Sequence, residues 1–208
     1  MIAAASPSER AVPAALGAEL SQLARQILGP GPAAAEACAE ALAGPVGNRL
    51  EGIARTAAEC RRRDGTGVVL ELPVGGTLAE TLLAELELAH AALAPRHREA
   101  LALAGLCGLS HAEIGEVMGL DTAAVALLLA RARLALREEL RGAPEATRPD
   151  CGVRERALRV LSRRQDGEPV GREDTTWLGE HLATCRGCAR DHGAVLEAAL
   201  RYRGWVRP

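Results

Sequence analysis

The chain has 208 residues with 25 basic and 27 acidic side chains, a formal net charge of −2, 48% hydrophobic residues and only 1% aromatic ones. That length allows one or two small domains with a real core, no apolar run reaches the roughly 18 residues of a membrane span, and the charge is low for a DNA binder that acts alone. There is no Lys and no Phe, so the core must come from Leu, Val, Ile and Ala, and the arginines carry no information about a preference for Arg over Lys. The opening MIAAASPSER has no basic segment followed by an apolar stretch. It therefore predicts no signal peptide and a cytoplasmic chain, in which six Cys point to metal or redox chemistry before a disulfide scaffold.

In chain order, residues 1–15 are rich in Ala, Ser and Pro, a composition expected of a mobile end. Leu16, Leu20, Leu23 and Ile27 form a helical stripe over residues 16–28. The run Gly29-Pro30-Gly31-Pro32 breaks it, an Ala-rich helix is predicted over 33–42, and Gly44-Pro45 ends that one. A third helix over 48–63 turns Leu50, Ile53, Ala54 and Ala57 inward and ends on Arg61-Arg62-Arg63, which suits the helix dipole. Residues 64–76 read as a linker whose VVLEL run could pair as a strand, although no partner strand is visible.

A helix is predicted over 77–93 with Leu78, Leu82, Leu86 and Ala89 on one side, followed by a Pro-Arg-His-Arg-Glu start to another. Two helices joined by a tight turn follow over 109–137. Ser110 and Glu113 make a capping box, Ile114, Val117 and Met118 recur at helical spacing, and Gly119 stops the first helix. Asp121 or Thr122 caps the second, with Val125, Leu129, Ala132 and Leu136 on one face. This is the pattern of a helix-turn-helix, and equally of an ordinary helical hairpin. Its outward face would hold Ala124, Leu127, Leu128, Arg131 and Leu134. The positions that could meet a groove are Thr122, Ala126, Leu127, Arg131 and Arg133. Aliphatic groups cannot read base edges beyond a thymine methyl, and arginines position on phosphates without specifying sequence. Exposed adjacent leucines can instead mark a protein interface.

After a polar linker over 142–150, helices are predicted over 151–165, 176–184 and 189–203. Between the last two lies His181-x3-Cys185-x2-Cys188. His181 and Cys185 share a helix face, and the Cys-x2-Cys turn brings the second thiolate back to the first, a donor set suited to tetrahedral Zn2+. Cys151 is the natural fourth ligand and His192 a substitute. Cys38, Cys60 and Cys107 have no ligand spacing and read as small buried apolar residues. His90, His97 and His111 read as surface or capping groups. With no nucleophile–base pair and no open metal position, an enzyme is not expected.

Three resemblances follow from these residues. Residues 82–141, through Leu93, Pro95, Arg96, Arg98, Glu99, Gly108, Leu109, Ser110, Glu113, Ile114, Gly119, Val125, Arg131, Ala132, Arg133 and the Ala135-Leu136-Arg137 ending, resemble region 4 of the extracytoplasmic-function sigma factors. LSQLARQILG, AAAEACAEAL and RLEGIARTAAECRRR resemble a degenerate sigma region 2. Only Glu36 and Glu40 remain of that family's acidic clamp helix, and none of the aromatics of its promoter-melting helix. Cys151, the 161–167 helix end, Trp177-Leu178, Glu180-His181-Leu182 and Cys185 to Cys188 resemble the zinc-binding anti-sigma fold. The resemblances imply an all-α chain divided at 16–63, 77–141 and 151–205. They imply a transcription regulator that meets RNA polymerase core and promoter DNA, with a structural Zn2+ site in its tail. Some members of the anti-sigma fold release zinc on oxidation and many do not, so a redox-sensitive site is left open beside a purely structural one. Another sigma or anti-sigma factor is a further partner class. The alternative they leave open is an anti-sigma-like, protein-binding regulator that has lost promoter recognition.

Overall fold

The computed structural model describes residues 13–63, 77–141 and 151–206. The predicted linkers, the VVLEL run and the first twelve residues lie outside them. The described residues form ten α-helices and no strand, the all-α class expected. The backbone divides into two compact units, residues 1–67 and 68–208.

The first unit holds α1 (Ala14–Leu28), α2 (Pro32–Ala41) and α3 (Arg49–Arg63). Gly29 takes φ 87° at the first break, and Pro32 opens α2 where a missing N–H costs nothing. Asn48 caps α3 by accepting from the Glu51 N–H at 2.9 Å. Leu20, Leu23, Ile27, Ala37, Ile53, Ala57 and Cys60 form the interior. Arg62 and Arg63 at the end of α3 both pair with Glu59.

The second unit holds α4 (Leu78–Ala91), α5 (Pro95–Gly105), α6 (His111–Met118), α7 (Thr122–Arg141), α8 (Arg154–Gln165), α9 (Arg172–Thr184) and α10 (Arg186–Val206). The 20-residue helix α7 is its axis, packing against α4, α5, α6, α8 and α10. Val125, Ala126, Leu129, Ala130, Ala132, Arg133, Leu134 and Leu136 are all buried, so the helix is covered on nearly every side. That is the mark of a core helix, not of an amphipathic surface one.

Several expectations are corrected. Leu82, in the first half of α4, is 49% exposed, so the expected apolar side of that helix is not covered along its whole length. His90 and His111 are buried, at 3% and 2% exposure. His90 lies among the rings of Tyr202 and Trp205, with centroids 5.4 and 5.1 Å away. The second helix of the tail, expected from residue 176, starts at Arg172, so Glu173 and Asp174 occupy its first turn, where negative charge is favoured.

Candidate functional site

The helix-turn-helix is built by local chemistry. The Ser110 Oγ accepts from the Glu113 N–H at 3.3 Å, and the Glu113 carboxylate accepts from the Ser110 N–H at 2.8 Å. Gly119 closes α6 in the left-handed region at φ 68°. Asp121 caps α7 through the Ala124 N–H at 2.7 Å. The turn folds back tightly enough that a Cβ on Gly115 would lie 2.5 Å from the Leu120 carbonyl oxygen. Arg98 donates to the carbonyls of Ala91 and Leu93 at the end of α4, at 3.1 and 2.8 Å. It thus serves as a helix cap.

Helices α8 and α10 of the tail lie against α7. Ala130 and Leu134 share an apolar cluster with Leu158, Ala194 and Val195, and Leu127 packs on its edge. Of the leucines expected to face outward, Leu134 is therefore covered by the chain's own C-terminal helices and Leu127 is half-buried at their edge. Around this cluster each of the four arginines of α7 meets an acid of the tail. Arg131 pairs with Glu155 at 2.6 Å, Arg133 with Asp166, and Glu197 receives Arg137 at 3.5 Å and Arg141 at 2.9 Å. Asp166 also receives Ser162 Oγ at 3.2 Å and lies 2.9 Å from His111 Nε2. Burial alone would raise the Asp166 pKa, but the His111 hydrogen bond and the Arg133 charge hold it below the usual carboxylate range. Two residues on, the Glu168 carboxylate accepts the backbone N–H of His111, the first residue of α6, at 2.7 Å. The α8–α9 turn thus touches both helices of the motif.

Of the five positions considered for a groove, Thr122 is exposed at the start of α7, Ala126 is fully buried and Leu127 is half-buried at the seam. Arg131 is exposed but paired, and Arg133 is 5% exposed and paired. His111, Asp166 and Glu168 were not marked by the sequence as functional. Their one signal is the Asp-Gly-Glu turn, and nothing local says what it contacts.

The tail also gathers Cys151, His181, Cys185 and Cys188, whose ligand atoms all lie within 4.8 Å of one another. His192 is not in this group. Cys151 Sγ lies 3.6 Å from His181 Nε2, and an ideal tetrahedral zinc site with ordinary bond lengths places sulfur and nitrogen about 3.6 Å apart. Cys188 is buried and the other three are half-buried. Burial and the adjacent thiols push the Cys188 thiol up to about 12, so a thiolate there needs a cation beside it. Backbone N–H groups of Cys188 and Gly187 draw the Cys185 thiol down. Trp177 stacks on His181 at 5.3 Å, and the Arg156 guanidinium lies 4.1 Å from the Trp177 ring centroid. The cluster could hold a metal ion, and its three sulfurs and one imidazole are compatible with zinc.

This geometry defines a helix-turn-helix with a Cys/His module packed on it. Residues 83–136, which hold the helix-turn-helix, match the family model for sigma-70, region 4. The match supports a sigma-factor-like DNA-binding role in transcription and implies interaction with RNA polymerase core and promoter DNA. No curated protein and no solved structure matches the chain. No described helix is long and apolar enough to cross a membrane.

Proposed function

We propose that this chain is a cytoplasmic, sigma-factor-like transcription regulator whose C-terminal zinc module controls the helix-turn-helix to which it is joined. In this reading residues 16–63 are a degenerate region 2, residues 77–141 the promoter-facing domain, and residues 151–205 an anti-sigma-like domain. Cys151, His181, Cys185 and Cys188 hold a structural Zn2+. The observation that carries the reading is the burial of α7 beneath α8 and α10, with Ala130, Leu134, Leu158, Ala194 and Val195 in one cluster. A helix so placed cannot enter a major groove, so the packed form is the inactive one. Promoter engagement through Thr122, Ala126, Leu127, Arg131 and Arg133 requires the module to move.

The alternative, a protein-binding regulator with no remaining promoter recognition, is favoured by the aliphatic start of α7, which offers no donor or acceptor to a base edge. A gel shift on promoter fragments across a salt series, with and without core polymerase and with zinc-loaded and zinc-stripped protein, separates the two. Salt-sensitive binding that strengthens when zinc is removed supports the first reading. Retention by polymerase or a partner sigma factor, with no DNA shift in any arm at low salt, supports the second.

A further inference from the structure

The apolar cluster seats α8 and α10 on α7, and the charges around it call for their own explanation. Exposed ion pairs contribute little to stability, and Arg131 and Glu155 are both more than half exposed. Yet all four arginines of α7 pair with an acid of the tail: Glu155 at the start of α8, Asp166 at its end, and Glu197 on α10. The fifth contact has the same character. The N-terminus of a helix is a ready anion site, and phosphates on DNA are held by arginines and helix N-termini alike. At the start of α6 that place is taken by the Glu168 carboxylate, 2.7 Å from the His111 N–H.

The geometry points to a phosphate-binding face made of Arg131, Arg137, Arg141 and the amino end of α6, with Glu155, Glu168 and Glu197 standing where the phosphodiester oxygens of a nucleic acid would stand. The tail then inhibits by substitution as well as by cover: its carboxylates and a DNA backbone compete for one set of cations. Glu197 shows the cost of that contest. Burial would raise its pKa, but Arg141, Arg137 and Arg201 hold it down, so it remains an anion throughout the neutral range. The inference rests on the proposed DNA-binding reading and specifies what holds that activity off.

The test uses the full zinc-loaded chain and a short fluorescent duplex of arbitrary sequence, with anisotropy read across a salt series. The triple variant E155Q/E168Q/E197Q keeps every side-chain shape and removes three charges at exposed or half-buried sites. It should bind roughly tenfold more tightly than the wild type at low salt. Its log–log salt slope should be steeper by about one for each arginine released to phosphate. A second variant, V195D, puts a charge into the apolar cluster and displaces the tail whatever the acids do, with retained helicity checked by circular dichroism. If the triple variant binds no better than wild type, the substitution idea is overturned. If V195D then binds duplex, the tail acts by cover alone and the proposed function stands. If neither variant binds duplex at the lowest salt, DNA binding itself is lost and both readings fall together.

Discussion

At 5% exposure the Arg133 guanidinium must find its partners inside the protein. It finds Asp166, and it donates to Ser162 Oγ at 3.1 Å. Removing one member of a buried pair leaves the other charged and unpaired, which costs roughly 3–5 kcal/mol. Asp166→Ala should therefore lose stability of that order in urea unfolding, and a loss below about 1 kcal/mol would mean the pair is effectively solvated. His90 makes a second prediction, with its own sign. Burial first, and then the Arg98 charge, lower its pKa to about 3. The folded state keeps this imidazole neutral where the unfolded chain, near 6.5, takes a proton. Above pH 6.5 it has no effect on stability. Below it the unfolded state gains, by ~1.4 kcal/mol per pH unit until about 3. His97 and His192 are lowered in the same direction. Asp166 acts only below the normal Asp range, clear of the window from 6.5 to 5. In that window H90F should unfold with about one proton fewer taken up than wild type, and an unchanged slope would show that His90 protonates in place.

At the scale of the elements, the helix-turn-helix was legible because its signals are local. Ser110 and Glu113 are three residues apart, Gly119 ends α6, and Asp121 begins α7, so each could be read without knowing the fold. Gly115 could not be. Its requirement comes from the returning carbonyl of Leu120, 2.5 Å from where a Cβ would stand, and a backbone atom cannot rotate away. Gly115→Ala should cost about 2 kcal/mol or more, against about 1 kcal/mol for Gly119→Ala, where only the positive φ is at stake. Equal and small losses in thermal melts would show that the turn relaxes. His90 and His111 were misread as surface groups for a related reason. Each lies on a helix whose own periodicity permits either face, and the groups that bury them, Tyr202 with Trp205 and Asp166 with Arg133, stand far along the chain. The outward leucines of α7 left a groove-facing helix and a protein interface both open, and Leu127 and Leu134 instead pack against the chain's own tail: adjacency in sequence shows an apolar face, and only packing shows what covers it.

For the second unit as a whole, the Cys/His cluster and the covered helix are physically one arrangement. The tail's own core is small: Ala157, Val160, Leu161, Leu178 and Cys188, with Trp177 and Leu182 at its margin. A module of that size leans on a staple, and structural zinc supplies roughly 10–16 kcal/mol of apparent binding energy in small domains. The same helix α8 begins beside Cys151 and presents Leu158 to α7 before ending at Asp166. Ligands at one end of the tail thus hold the residues that cover α7 at the other. Chelation should release amide protection first in α8 and α9. Protection at residues 127–134 should follow, with exchange there rising by at least roughly tenfold, the equivalent of about 1.4 kcal/mol of local opening. Residues 14–63 form a separate compact unit and should keep their protection in the same experiment, which distinguishes release of the tail from general unfolding. If α8 and α9 lose protection while 127–134 does not change, the cover over α7 stands without the metal. Control of the helix-turn-helix would then have to come from the acids at its rim.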